Sequence, residues 1–408
     1  MPDMTIADVD RTDQVGRWSS QKRNLAGACL VHFLHDGYTD LLYALLPVWQ
    51  GEFALSYAGL AMVRALYYGT MGGLQIPADR YVAKFSPRAA LAVATLIAAA
   101  GYLVMAFPFG FKGLCIGLVL AGVGSSVQHP RASLLVTGSY GKSARGPLGI
   151  YNFSGDLGKA SFPAIVALLL PVFAWRPVVG MVSVVGLAAA GALFLVIPRQ
   201  SAAAAEEKAA TGGDGRGFGL LMTIGAFDTA TRMGYLLFLP FLLRAKGGHE
   251  ATIGFGLAVL FAGGALGKAS CGWLGQRVGV VWSVIATEAA TALLMVTTLA
   301  VPLTPTLILL PLLGIVLNGT SSVLYGTVPE LARKGAVGRA FALFYTGVIG
   351  AGGLAPIAYG AIADQVDRTV GVIAAALTAA AIIPMVVALR PFLPESRPDL
   401  ATGSGDQG

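Results

Sequence analysis

The chain has 408 residues, of which 55% are apolar and only 12% charged, and its formal net charge is +7. A soluble domain usually has about a quarter of its residues charged, so this composition excludes an ordinary soluble enzyme or nucleic-acid-binding domain. It points instead to a protein that crosses a bilayer.

Residues 1–22 contain Asp3, Asp8, Asp10 and Asp13, unlike the basic start of a secretory signal, so no cleaved signal is expected and this tail is placed in the cytosol. Long apolar runs follow, each able to cross about 30 Å of hydrocarbon as a helix. They fall at 25–48, 57–78, 89–109, 113–137, 147–171 and 177–197, then at 218–243, 252–275, 280–301, 305–328, 339–363 and 370–390. The predicted fold class is therefore all-α, with twelve transmembrane helices in two six-helix halves. The halves are 23–198 and 218–391, joined by a cytosolic linker at 199–217, with a cytosolic tail at 392–408.

With the N-terminus inside, only Lys112, Arg176, Arg244, Lys246 and Arg368 fall in outer loops, and the other loop and tail bases lie inside. That bias predicts both termini in the cytosol and a multi-pass protein of the bacterial inner membrane. The positive charge then reflects topology, with some attraction to anionic membrane lipids. No nucleic acid is needed to explain it.

The halves echo each other. "GLAMVRALYYGTMGGLQIPADR" (59–80) is similar to "GLAVLFAGGALGKASCGWLGQR" (256–277), and "RGPLGIYNFSGDLGKASFP" (145–163) to "RAFALFYTGVIGAGGLAP" (339–356). A six-helix repeat suits a transporter, because two similar halves can rock about a site at mid-membrane.

Charged groups inside the spans carry the chemistry. Each costs about 2.5–3.5 kcal/mol at the bilayer centre on insertion scales, so it normally faces the bundle interior and serves a path or a partner. These groups are Asp36, Asp40, Asp156, Asp228, Glu288, Arg64, Arg131, Lys159, Arg232 and Lys268. His32, Asp36 and Asp40 recur every fourth residue and form one stripe, with His35 pointing elsewhere. Asn152, Asp156 and Lys159 form another stripe. Asp228 and Arg232 stand one turn apart, acid first, the favourable order for a pair.

Structural readings stand beside the functional ones. Asp228 with Arg232, and Asp156 with Lys159, could each be a self-satisfied pair. Arg131 could snorkel to headgroups, Glu288 is read as structural, and Lys268 could neutralise a neighbouring acid. Arg64, next to Tyr67 and Tyr68, has no acid within a turn, so its partner must come from another helix or from substrate. Asp40 is in the same position, and the two could also pair with each other. The sharp expectation is that Asp36 or Asp40 couples protons, while Arg64, Tyr68, Asn152, Lys159, Arg232 and Lys268 bind an anionic substrate. Burial opposes ionisation and a nearby cation favours it, so substrate and proton can compete through one network.

No Gly-x-x-x-x-Gly-Lys-Ser/Thr stretch is present, so an ion gradient rather than ATP is expected to drive transport. Cys29, Cys115 and Cys271 lie in apolar segments and are read as helix packing. No metal, cofactor or catalytic residue is expected, and the chain is predicted to be a monomer.

Over nearly its whole length the chain resembles the major facilitator superfamily. In the loop after the second span, "QIPADRYVAK" keeps Asp79, Arg80 and Lys84 of that family's signature, with Gln75 and Val82 at glycine positions. "GWLGQRVG" keeps Gly272, Arg277 and Gly279, with Gln276 in place of the acid. The resemblance implies a charge latch that gates the cycle at Asp79 and Arg80. It also implies a cavity surrounded by the first, fourth, seventh and tenth helices, with the second, fifth, eighth and eleventh completing its walls.

"HFLHDGYTDLLYALLP", "GVGSSVQHPRAS" and "FSGDLGKASFP" resemble the fosmidomycin-resistance branch, with Asp156 at a usual Asn. "SGDLGKASFP" is also similar to the family's antiporter motif in the fifth helix, with Phe162 replacing the glycine before Pro163. That implies tight packing of the fifth helix on the eighth through Gly155 and Gly158. Together these features predict a secondary active transporter, a proton-coupled exporter of a small anionic compound or drug. The alternatives are a proton-coupled importer of a small organic anion, or lipid and amphiphile handling by the same fold.

Overall fold

A computed structural model describes residues 19–199, 215–334 and 336–393. The tail at 1–18, most of the expected linker (200–214) and the tail from 394 lie outside the described residues. Thirteen α-helices account for the twelve spans. They are α1 (Ser20–Phe53), α2 (Tyr57–Val82), α3 (Pro87–Ala106), α4 (Gly110–Ser125), α5 (Gln128–Tyr140), α6 (Arg145–Leu169), α7 (Trp175–Val196), α8 (Phe218–Ala245), α9 (Glu250–Val278), α10 (Val280–Ala300), α11 (Leu303–Leu331), α12 (Val337–Gln365) and α13 (Arg368–Leu389).

Local sequence sets several of these starts. Ser19, Ser56, Ser86 and Asp367 each accept a hydrogen bond from the backbone N–H three residues on, capping α1, α2, α3 and α13. The first span runs past its expected end, because α1 carries Pro47 inside the helix and stops only at Ala54, in the left-handed region at φ 51°. Neighbouring helices can absorb a proline in a membrane helix.

The fourth span was expected to be continuous and is broken between Ser125 and Gln128. Pro130 has no N–H to return to the Ser126 carbonyl, so the helix stops and restarts with proline in its first turn, where a missing donor costs little.

Eight spans are long and apolar enough to cross a membrane by composition alone. The other four, α1, α2, α6 and α8, hold Asp36, Asp40, Arg64, Asp156, Lys159, Asp228 and Arg232. Large apolar side chains such as Val172, Leu195, Ile308 and Leu354 are instead at least two-thirds exposed on the outside of the bundle, the distribution a hydrocarbon solvent demands.

The buried apolar groups form three clusters whose placement defines a cleft. One cluster contains residues of both halves, including Tyr43, Trp49, Tyr67, Phe238, Leu260 and Leu310. Toward the other end the halves no longer share a core. Ala28, Leu91, Val136 and Leu193 cluster within the first half, and Leu221, Val284, Val328, Phe344 and Val386 within the second. The two halves thus meet where α1 turns into α2 and part where α1 and α8 begin.

Two equivalent helix pairs join the halves, α2 with α12 and α6 with α9. These are the four helices that carry the repeated sequences. Backbone approach explains their small residues: a Cβ on Gly360 of α12 would meet the Ala58 nitrogen at 2.6 Å, and one on Gly254 of α9 would lie 3.1 Å from the Pro163 carbonyl oxygen. Gly155 and Gly158 do not serve the contact expected of them. Their Cβ positions face His32, Asp36 and Phe33 of α1, so they admit α6 to α1 rather than to α9.

Candidate functional site

The α1 stripe lies where α5 and α6 close on it. Asp36 Oδ2 is 3.2 Å from His32 Nε2 and 3.2 Å from Lys159 Nζ of α6, and Oδ1 is 3.5 Å from His129 Nε2 of α5. Glycine at 155 permits this, because a Cβ there would sit 2.7 Å from Asp36 Oδ2. His32 is fixed from behind: Nδ1 lies 2.8 Å from the Tyr151 carbonyl and the ring stacks on Tyr151 at 4.0 Å. Both its nitrogens face oxygen atoms, of Tyr151 and of Asp36.

His32, Asp36 and His129 place potential ligand atoms within 4.8 Å of one another. Sequence spacing missed this group because His129 belongs to another helix.

His35, on another face of α1, has a different set of partners. Its Nε2 is 3.2 Å from Thr95 Oγ1, whose own proton goes to the Leu91 carbonyl, so the ring donates there. Nδ1 then accepts from Ser125 Oγ at 2.8 Å, and Ser125 accepts from Tyr67 at 2.7 Å. A neutral ring satisfies every link, which makes His35 a tie among α1, α2, α3 and α4.

Asp40 and Arg64 sit deeper, at the head of the cleft, 5% and 2% exposed. Neither forms an ion pair with any described residue, so they are not partners of each other. The guanidinium of Arg64 lies 4.5 Å from the Tyr43 ring centroid and 4.9 Å from that of Tyr68, and Nη2 is 3.3 Å from Met233 Sδ of α8. Its Nε has no hydrogen-bond partner. Around Asp40 the charged neighbours are Lys159, Arg64, Asp36 and Arg232. Arg64 is thus a buried cation held by π-faces and a thioether, with the buried carboxylate of Asp40 among its charged neighbours.

Several sequence pairings are replaced by tertiary ones. Asp156 does not pair with Lys159 one turn on; it binds Lys268 of α9, across the halves. Asp228 and Arg232 do not touch, because Ser321 of α11 stands between them. Its hydroxyl donates to Asp228 Oδ2 at 3.0 Å and accepts from Arg232 Nη1 at 2.9 Å. Glu288, read as structural, is buried on α10, 2% exposed.

Arg131 pairs with Asp79, Nε to Oδ1 at 2.6 Å, and donates to the Asp79 carbonyl at 2.7 Å, so it is held within the first half rather than snorkelling. Arg80 is exposed and pairs with no described residue, and Asn152 is exposed without a hydrogen bond. Of the expected latch, only Asp79 is engaged.

The Major Facilitator Superfamily model matches residues 28–220 and again 221–407. Over 388 residues the chain is 24% identical to the fosmidomycin resistance protein of Escherichia coli (strain K12), covering 91% of this chain and 93% of that protein. Over 147 residues it is 26% identical to the uncharacterized MFS-type transporter YfnC of Bacillus subtilis (strain 168), 36% of this chain and 35% of that one.

Among solved structures, a bacterial homolog to the human lysosomal transporter Spinster, inward-facing and occupied, superposes with a TM-score of 0.77 at 15% identity, covering 94% of this chain and 99% of that one. A POT family transporter in complex with 5-aminolevulinic acid gives 0.74 at 13% identity, covering 92% and 96%. The two matched halves, the helix order and the central cleft agree: the chain belongs to the Major Facilitator Superfamily of transporters.

Proposed function

We propose that this protein is a proton-coupled exporter of a small anionic compound across the inner membrane, with both termini in the cytosol. The observation that carries the reading is the pair of buried charges at the head of the cleft, Asp40 and Arg64, neither of which has an ion-pair partner among the described residues. A buried ion without a partner is costly, and a transporter recovers that cost when substrate or proton arrives. Arg64 is the principal anion contact, stacked between Tyr43 and Tyr68. Lys159, Arg232 and Lys268 extend the positive field. Asp40 takes up and releases the coupling proton, with Asp36 holding Lys159 in place. The likeness to a fosmidomycin resistance protein supports export.

In this reading the joined end of the bundle is the outer, closed end and the cleft opens to the cytosol. The outer closure includes Asp364 of α12, which accepts from the Tyr57 and Ala58 nitrogens at 2.7 and 2.9 Å, and Tyr57 against Phe238 and Phe241.

One feature favours symport as a second reading. Protonating Asp40 removes a negative charge near Arg64 and so strengthens anion binding there, which lets proton and anion travel together. Inverted membrane vesicles separate the coupled readings from an uncoupled carrier. Accumulation of a small labelled anion that collapses with a protonophore and is lost in Asp40→Asn supports coupling; accumulation indifferent to both overturns it.

A further inference from the structure

Two imidazoles and one carboxylate converge in the first half, and the transport cycle proposed above does not use them as a set. His32 and Asp36 stand one turn apart on α1, and His129 reaches them from α5, just past the break in the fourth span. His32 Nε2 lies 3.2 Å from Asp36 Oδ2, and His129 Nε2 lies 3.5 Å from Oδ1. With metal–ligand bonds of about 2.0–2.2 Å, the ligand atoms of a tetrahedral zinc site stand roughly 3.3–3.5 Å from one another. Only small side-chain movements are needed to close this group on an ion.

His32 is already oriented as a ligand. Its Nδ1 is 2.8 Å from the Tyr151 carbonyl, which can only accept, so the ring donates there. That is the outer hydrogen bond that fixes a metal-bound histidine and leaves the other nitrogen's lone pair for the ion. A neutral ring held this way turns its Nε2 lone pair toward Asp36 Oδ2, and two acceptors so close need a cation between them. A proton on His32 serves that one contact, whereas a metal ion serves all three groups. There is space for it on the α6 side: a Cβ at Gly155 would stand 2.6 Å from His32 Nε2 and 2.7 Å from Asp36 Oδ2, and glycine leaves that position clear.

We infer that His32, Asp36 and His129 form a binding site for a divalent first-row transition-metal ion, which ties α5 to α1. Two imidazoles and a carboxylate suit zinc, cobalt or nickel, whereas magnesium and calcium prefer sets made of oxygen alone. Three protein ligands leave a further position open, and His129, whose side chain is 38% exposed against 7% for the other two, is the member past which an ion enters. Lys159 is the competitor. Its Nζ is 3.2 Å from Asp36 Oδ2, and a dication on that carboxylate repels it; 28% exposed and on a flexible stem, it can swing away. All three ligands belong to α1 and α5 of the first half, and the site does not depend on the transport reading above.

The test is titration of Co²⁺ into the purified full chain, stripped of metal with a chelator, without a polyhistidine tag and with its three cysteines replaced by alanine. The expected result is one Co²⁺ per chain, with the visible absorption of a four- or five-coordinate site, displaced by Zn²⁺ and unchanged in His249→Gln. Binding should weaken in both His32→Gln and His129→Gln by at least the roughly 10- to 100-fold that loss of an outer partner costs a metal site, and should tighten in Lys159→Met. His129 is the most exposed of the three ligands, so its substitution disturbs the fold least. No Co²⁺ bound by the folded parent, or equal affinity in folded His129→Gln, overturns the proposal. Binding lost in His249→Gln places the ion elsewhere and overturns it as well. None of these readouts requires transport, so their failure leaves the transport reading intact.

Discussion

Asp156 of α6 and Lys268 of α9 form an ion pair that bridges the two halves of the chain. It lies on one of the two helix pairs that join them, so any rocking of one half against the other acts on this contact. Removing one partner leaves a mostly buried charge alone, whereas removing both leaves none. Asp156→Asn and Lys268→Met are each expected to lower the melting temperature of the purified protein, with the double variant recovering part of the loss. The coupling energy expected from a double-mutant cycle is about 0.5–3 kcal/mol. Strict additivity would show that the pair contributes nothing to holding the halves together.

Arg64 is expected to carry much of the affinity for an anion. A hydrogen bond to a charged group contributes about 1.5–3 kcal/mol, so Arg64→Gln should weaken binding roughly 10- to 100-fold. Arg64→Lys keeps the charge but loses the planar stacking on Tyr43 and Tyr68 and should fall between. Equilibrium binding of a labelled anion checks the order; equal affinity in all three proteins would remove Arg64 from the site.

Asp364 caps α2 from the other half through the Tyr57 and Ala58 nitrogens. Replacing a capping side chain by alanine costs about 0.5–2 kcal/mol, so Asp364→Ala should raise the population open at this end by roughly two- to thirty-fold. The readout is maleimide labelling of a cysteine introduced at Leu55, in a chain whose three native cysteines are replaced by alanine. Labelling that is unchanged would mean that the cap does not contribute to closure.

Asp367, exposed just before α13, gives a pH prediction with a definite sign. Its carboxylate accepts from the Val370 nitrogen at 3.1 Å, and that bond holds it below the usual carboxylate range. The group is more acidic folded than unfolded, so its stabilisation is complete above the ordinary carboxylate pKa and fades as the pH falls through the lowered value. Melting temperatures of the parent and Asp367→Ala should therefore differ at neutral pH and converge in acid. Asp367→Asn, which caps without a charge, should show no such convergence.

Much of the fold was legible because hydrophobic length is a local property, and His32, Asp36 and Asp40 were put in one stripe by helical period alone. The repeats told more than expected: the four helices whose sequences echo are those that join the halves. Partnerships were not legible. Spacing along one helix suggested Asp156 with Lys159 and Asp228 with Arg232, yet each acid is satisfied from elsewhere, by Lys268 and by Ser321. Pairing across helices depends on which faces meet, and a single sequence does not encode that in any local pattern. The break in the fourth span had a signal that was passed over, Pro130, because a proline in a long apolar run reads equally well as a tolerated kink.

The most direct test of coupled anion transport uses the purified protein in liposomes loaded with a pH-sensitive dye, under an imposed proton gradient, with small anionic, zwitterionic and cationic compounds added in turn. The account predicts proton movement that depends on an anion, runs opposite to it, and disappears in Asp40→Asn. Proton and anion moving in the same direction would establish the symport reading. No proton response to any compound from folded protein, or a full response in Asp40→Asn, would contradict the assignment of Asp40 and Arg64 as the coupled pair of the transport cycle.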